Sequence, residues 1–523
     1  MTTDQKWAFG LVCGGLAIAT LVLLNNAKEA SRTNIGMSEA VFSSDTANLP
    51  EAKLSETVEL KNGDSYDLTA SMVKKNINSA DVKMLAYNGS IPGPLIKVKQ
   101  GAEITINFTN NTDVETTLHS HGVRVENKFD GVPVLNQKAI PVGGTFAYKL
   151  KFPDAGMYWY HPHVREDYAQ ELGLYGNFLV EPTDSAYWSP VNREIPLILD
   201  DILMQNGAIV PFNKSATNHA LMGRYGNVML VNGETDFKMN AQKGEVLRLY
   251  ITNTANVRPF NFAIQDAKLK LVGADGGAYQ KDEWRNTVII APSERAIVEV
   301  LFDKSGTLAI ENRTPDTTYP LGTIQVSDTP VVTSYAKEFA TLKIHGEVMK
   351  SVEAMRLYFD KVPDKRIVLN VDMSASTMQS MGGHMMMGDS ADGIEWDNEN
   401  VNNSNSPTSQ DIRWNIVDED TGKKNMDINW VFQLGKPVKI RITNSAHSMH
   451  PMQHPIHFHG QQFLVLARNN RPEINFAWKD AVLVPAGETV DILLNPTNPG
   501  TWMAHCHIAE HLESGMMFNF TVK

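Results

Sequence analysis

One strand is written three times in this chain: Ile106-Asn107-Phe108-Thr109-Asn110, Leu249-Tyr250-Ile251-Thr252-Asn253 and Ile440-Arg441-Ile442-Thr443-Asn444. Each alternates its side chains with a period of two, as a half-buried strand does, and each ends in Thr-Asn. The first two copies lie 143 residues apart and the last two 191, so 48 extra residues precede the third. A second block repeats with them. PVGGTFAYKLKFPDAGMYWYHPH starts at Pro141 and PAGETVDILLNPTNPGTWMAHCH at Pro485; both place Gly at +15 (Gly156, Gly500) and His at +20 (His161, His505). The middle version, around Pro292, carries Gly306 and ends in Glu311 without a histidine. Self-similarity of this kind means an array of like domains. The runs are short, alternating and punctuated by Gly, Pro and Asn, which reads as β-sandwiches or barrels. The expected fold class is therefore all-β, in three consecutive Greek-key domains at 56–185, 186–335 and 336–523, the last with an insertion near 373–405. Residues 1–30 read as a signal or anchor segment and 31–55 as a polar linker.

Trp7 to Leu24 holds no charged residue over 18 positions and follows Lys6, near the lower limit for a membrane span. Asn25-Asn26-Ala27 offers no small-x-small cleavage site, so an uncleaved anchor is favoured over a cleaved signal. The expected location is periplasmic or extracytoplasmic, with residues 7–24 as a tether to the inner membrane and the chain a monomer. A formal charge of −12 argues against nucleic acid as a partner, because phosphate binding needs basic patches. Two cysteines, Cys13 and Cys506, exclude a disulfide framework. Cys13 falls in the apolar run and reads as lipid-facing, which leaves Cys506 buried, reactive or metal-bound.

Ten of the 15 histidines fall in four clusters: His119-Ser120-His121-Gly122, His161-Pro162-His163, His454-Pro455-Ile456-His457-Phe458-His459-Gly460, and His505-Cys506-His507 with His511. In a strand, residues i and i+2 face one way, so each His-x-His aims two imidazoles at one spot. The repeats match His119/His121 with His457/His459, and His161/His163 with His505/His507. A near-twofold pairing of the first and third domains would gather eight imidazoles, an arrangement that calls for metal. Imidazole alone suits Cu, Zn, Fe or Ni. Cys506 with two imidazoles and a long axial thioether is the blue-copper set, for which His511, Met516 and His454 are placed; zinc has no use for the methionine. His505 and His507 face away from the Cys506 side chain on the same strand, so the Cys506 backbone joins the blue copper to the eight-histidine cluster. Pro162 stands at the Cys506 position in the first domain, so one such site is expected.

These motifs resemble the multicopper oxidases, over nearly all of residues 56–523. The resemblance implies three cupredoxin-like domains and four copper ions. It implies a type 1 copper held by His454, Cys506 and His511 with Met516 axial, and a type 2 copper on His119 and His457. It implies a type 3 pair on His121, His161 and His507 and on His163, His459 and His505. Such enzymes oxidise one-electron donors and reduce dioxygen to water. Asp130, in Lys128-Phe129-Asp130-Gly131, matches the family's acidic position, though it also reads as a turn Asp before Gly. Many bacterial members place Glu directly after the second type 1 His; here that residue is Leu512, and Glu513 follows in an order more like fungal laccases. Glu513 and Glu510 are the other proton-relay candidates.

The insertion carries Met373, Met378, Met381, His384, Met385, Met386 and Met387 among Gly, Ser and Asp. Soft thioethers favour Cu(I), and exposed glycines around them argue against burial. A Met-rich insertion in the third domain resembles that of bacterial periplasmic cuprous oxidases, so Cu(I) is the expected donor. Small phenolic donors, with the methionines as a lid, are the alternative, and a non-enzymatic cupredoxin scaffold the reading from another class. Met449 and Met452 add soft ligands near His454 or pack there. His219 and His345 read as solvated or ordinarily satisfied, His447 and His450 as surface residues able to bind labile copper.

Overall fold

The computed structural model describes residues 41–374, 377, 391–397 and 407–523. The apolar run 7–24 and Met378, Met381, His384, Met385, Met386 and Met387 lie outside the described residues. Among the described residues no helix is long and apolar enough to cross a membrane.

Strands form three pairs of sheets in chain order. Four- and five-stranded sheets use strands between Thr57 and Glu181; five- and six-stranded sheets use Arg193 to Pro330; a further five and six use Lys365 to Val522. Each pair encloses its own buried apolar cluster, centred on residues such as Phe108 and Tyr148, Phe260 and Phe262, or Trp414 and Phe518.

The thrice-written strand occupies the same place in each sandwich. Glu103–Asn111 lies parallel to Ser65–Ile77 and antiparallel to Thr145–Lys151. Glu245–Asn253 lies parallel to Arg193–Ile202 and antiparallel to Arg295–Phe302. Val438–Asn444 lies parallel to Lys365–Met373 and antiparallel to Thr489–Asn495. The repeated Asn has one task in all three. Asn110 Nδ2 donates to the carbonyls of Val114 and Ile140, both at 2.9 Å; Asn253 Nδ2 to Arg258 and Ile290, both at 2.8 Å; Asn444 Nδ2 to Met452 at 2.7 Å and Val484 at 2.9 Å. A buried amide pinning two carbonyls fixes the loop that leads into the next strand. In the first and third sandwiches those loops lead into the histidine motifs.

Pairing register then aligns the histidines. His119 sits opposite His161, and His457 opposite His505. The corresponding pair in the middle sandwich is Ala263 opposite Glu311. That substitution is why the middle domain offers no such centre.

Candidate metal centre

Eight imidazoles meet between the first and third sandwiches. His119, His121 and His457 form one group; His121, His161 and His507 a second; His163, His459 and His505 a third, with the donor atoms of each group within 4.8 Å of one another. These are the residues that the repeats bring into register, and none of the eight is more than 7% exposed.

Nearly every ring is held from outside, so that its other nitrogen faces inward. His119 Nδ1 donates to the Asp130 carbonyl at 2.6 Å, His161 Nδ1 to Pro162 at 2.7 Å, His457 Nδ1 to Asp480 at 2.7 Å and His505 Nδ1 to Cys506 at 2.8 Å. Carboxylates hold two others, His459 Nδ1 at 3.0 Å from Asp130 Oδ2 and His121 Nε2 at 3.0 Å from Asp480 Oδ1, and Glu166 Oε1 stands 3.0 Å from His163 Nδ1 without hydrogen-bond geometry. A carbonyl or carboxylate oxygen only accepts, so the proton sits on the outer nitrogen and the lone pair points inward. Nε2 of His119, His161, His163 and His457 and Nδ1 of His121 are buried without a partner. Nε2 of His459 and Nε2 of His505 stand 3.0 Å apart, each the lone-pair side of its ring. Two acceptors at that distance repel unless a cation lies between them. Burial, with neighbouring imidazoles second, also holds His121, His457 and His459 well below the usual histidine range. Those three rings are therefore neutral, as metal ligands must be.

The second donor set is His454, Cys506 and His511. Cys506 Sγ lies 3.6 Å from His454 Nδ1 and 3.7 Å from His511 Nδ1, and the two nitrogens are 3.2 Å apart. His511 Nε2 donates to the Leu221 carbonyl at 3.2 Å, which leaves Nδ1 as its lone pair. Met516 is fully buried in the same apolar cluster as Cys506. Burial pushes the Cys506 thiol well up, so only a bound cation would make it a thiolate. Two imidazoles, one thiol and one thioether fit copper better than zinc. The alternation of strand Gly500–Cys506 and the residue after it puts His505 and His507 in one centre and the Cys506 side chain in the other.

The carboxylates divide. Asp130 is completely buried; it caps the short helical turn Asn127–Phe129 and touches both His119 and His459, so the turn role and a place at the centre coincide. Glu510 is also buried, with Oε1 3.3 Å from Asn256 Nδ2, and burial pushes it up to about 7. Glu513 is likewise pushed up to about 7 by burial, with Asp167 adding to the shift. It lines a cavity of about 380 Å³ with Asp372, Met373, Asp411, Ser514 and Gly515. Leu512 packs in an apolar cluster with Val132 and Met503, so no carboxylate reaches the centre from that position. Glu166, which nothing in the sequence singled out, does reach it through His163. A His-x-x-Glu spacing entering a helical turn was the one available signal.

The remaining histidines are less exposed than expected. His345 is buried and paired with Asp282 at 3.0 Å, so it is satisfied rather than solvated; His219 is buried too. His447 is exposed, but His450 is half-buried with Nε2 unpartnered, and Met452 is fully buried, which is packing.

Three multicopper oxidase family models match the chain, over residues 69–185, 193–328 and 373–523. A multicopper oxidase of Staphylococcus aureus is 27% identical over 467 residues, covering 87% of each chain. A solved multicopper oxidase of Campylobacter jejuni, described as a metallo-oxidase, is 25% identical with a TM-score of 0.68, covering 92% of this chain and 99% of its own. A laccase-like multi-copper oxidase of Ochrobactrum sp., with activity towards lignin model compounds, has a TM-score of 0.69 at 22% identity, covering 90% of this chain and 100% of its own.

Proposed function

Because this chain belongs to the multicopper oxidase family, whose models cover its three sandwiches, we propose that it oxidises Cu(I) with dioxygen as the acceptor. Four Cu(I) ions give up four electrons, and one dioxygen takes them with four protons to yield two waters. When bound, the resident coppers supply a one-electron acceptor at the Cys506 set and the reduction of dioxygen at the eight-histidine centre. Four are proposed: one on His454, Cys506, His511 and Met516, one on His119 and His457, and two on His121, His161 and His507 and on His163, His459 and His505.

What supports Cu(I) over a bulky donor is the closure of the Cys506 set. His454, Cys506, His511 and Met516 are each no more than 1% exposed. Trp414 stacks on His511 with centroids 4.1 Å apart, and its Nε1 donates to the Ala220 carbonyl at 2.8 Å. Leu221, from the middle sandwich, covers the other edge through the bond to His511 Nε2. A phenol ring has no ligand edge to lie against. The cavity lined by Ser514 and Gly515, on the segment between His511 and Met516, also has Met373, a soft thioether, on its wall, together with Asp372, Asp411, Arg413 and Glu513. Met373 is also where the methionine-rich run begins.

Asp130 is proposed to hand protons inward, because its Oδ1 is buried without a hydrogen-bond partner beside His119 and His459. Glu510 and Glu513, near neutrality through burial, are proposed to hold protons on the far side. Residues 7–24 are proposed to tether the enzyme outside the cytoplasm, where it would remove Cu(I).

Oxygen uptake by copper-loaded protein lacking residues 1–30, with Cu(I) and with a substituted phenol as donors, tests the donor. Cu(I) is expected to be much the faster. A clear preference for the phenol would make the enzyme a laccase-type oxidase of phenols or aromatic amines.

A further inference from the structure

We propose that Arg295, from the one sandwich without candidate metal ligands, is a positioning residue for the eight-histidine centre, acting through Asp480 on His121. The inference rests on the reading that this centre takes copper. Arg295 opens strand Arg295–Phe302 in the middle repeat, opposite Thr252; the equivalent pairs are Thr109 with Thr145 and Thr443 with Thr489. Only the middle copy has an arginine there.

Its guanidinium ties the three sandwiches together. Nη1 donates to Asp480 Oδ1 at 2.7 Å and Nη2 to Asp480 Oδ2 at 2.5 Å, a bidentate fork on a residue of the third sandwich. Nε donates to the Met157 carbonyl at 2.9 Å, in the first-sandwich strand Gly156–His161, and Nη1 also reaches the Ser293 carbonyl at 3.0 Å. Arg295 and Asp480 are each no more than 1% exposed. Asp275 accepts from the Arg295 backbone N–H at 2.8 Å and is held in turn by Lys479 at 3.0 Å. Arg295 and Lys479 are also on the wall of a cavity of about 510 Å³ between the middle and third sandwiches.

Asp480 reaches the centre twice. Its Oδ1 lies 3.0 Å from His121 Nε2, and its carbonyl accepts from His457 Nδ1 at 2.7 Å. The first contact sets which nitrogen of His121 faces inward. His119, His161, His163 and His457 leave Nε2 free, whereas His121 leaves Nδ1 free. Without the fork, nothing else holds both Asp480 oxygens, and the carboxylate can rotate away from the ring. The glycine after His119-Ser120-His121 has the same explanation. A Cβ on Gly122 would collide with Asp480 Oδ2 and Arg295 Nη2, and its φ of +80° is left-handed. The motif ends in Gly because the ion pair packs against it.

The test compares Arg295→Lys, which keeps the charge but loses the fork, with Asp480→Asn and the double variant, all copper-loaded. Each single variant is expected to keep the blue thiolate absorption and the type 1 paramagnetic resonance signal. Each should lose copper from the histidine centre, alter the type 2 signal and lower turnover about 10- to 100-fold, as removal of an outer partner of a ligand does. The double variant should be no worse than either single, because both break one device. An Arg295→Lys protein with full copper and an unchanged type 2 signal would overturn the proposal. So would parallel loss of both copper classes with lowered thermal stability, which is a merely structural role, and so would additive losses in the double variant. Failure of the unsubstituted protein to load copper at the histidine centre would count instead against the copper reading itself.

Discussion

Cys506→Ser is expected to abolish the blue absorption and to reduce oxygen uptake with every donor by more than the roughly 100-fold that loss of an outer partner costs. Cys506 belongs to both halves of the site. Its side chain completes the set with His454 and His511, while its two neighbours, His505 and His507, belong to the eight-histidine centre. A serine hydroxyl is a hard, weakly acidic donor that cannot replace a thiolate on copper. The change should leave the fold standing. Cys506 is fully buried, and a hydroxyl there costs on the order of 1–3 kcal/mol if it finds no partner. The histidine centre keeps all eight rings, so it should still load copper. A Cys506→Ser protein with intact turnover would mean that electrons enter elsewhere.

Replacing residues 375–389 with a short Gly-Ser linker is expected to lower Cu(I) turnover about 10-fold, equivalent to about 1.4 kcal/mol, while phenol turnover holds or rises. The replaced stretch carries Met378, Met381, His384, Met385, Met386 and Met387. Both described edges of the insertion line one cavity with the segment between His511 and Met516: Met373 and Ser374 on one side, and Ser409 and Asp411 on the other, share it with Glu513, Ser514 and Gly515. The far edge also docks on the middle sandwich, where the Ala220 N–H donates to the Pro407 carbonyl at 3.0 Å and the Ser409 N–H to Thr217 at 2.9 Å. Thioethers tethered there would concentrate a soft cation beside a site closed to larger molecules. Met373 pairs with Ile412 and stays in place, so the cavity should survive the replacement. Equal loss with both donors would show that the segment supports the fold rather than the donor.

What the sequence made legible was whatever it repeats. The Thr-Asn strands gave the three sandwiches, and the structure supplies the reason: each Asn clamps two carbonyls at the same corner. The His-x-His pairs were legible because strand alternation turns spacing into direction, and Cys506 with His454 and His511 because of their ligand chemistry; the grouping of His119 with His457 came from the family resemblance alone. Residues acting singly from distant segments left no such trace. Asp480 reaches His121, and Arg295 reaches Asp480, only because three sandwiches pack against one another. Trp414 and Leu221 close the Cys506 set in the same way, one from the third sandwich and one from the middle. The absence of a carboxylate at Leu512 was visible, but Glu166 on the other side was not, because its approach to His163 depends on a helical turn only four residues long.

The most direct measurement of the central claim is the number of copper atoms bound per chain in purified, copper-loaded protein. About four are expected, because two histidine triads, the His119–His457 pair and the Cys506 set each bring buried donor atoms together. A count of one or none, with the histidine centre vacant, would contradict it and leave a cupredoxin-fold protein that does not reduce dioxygen.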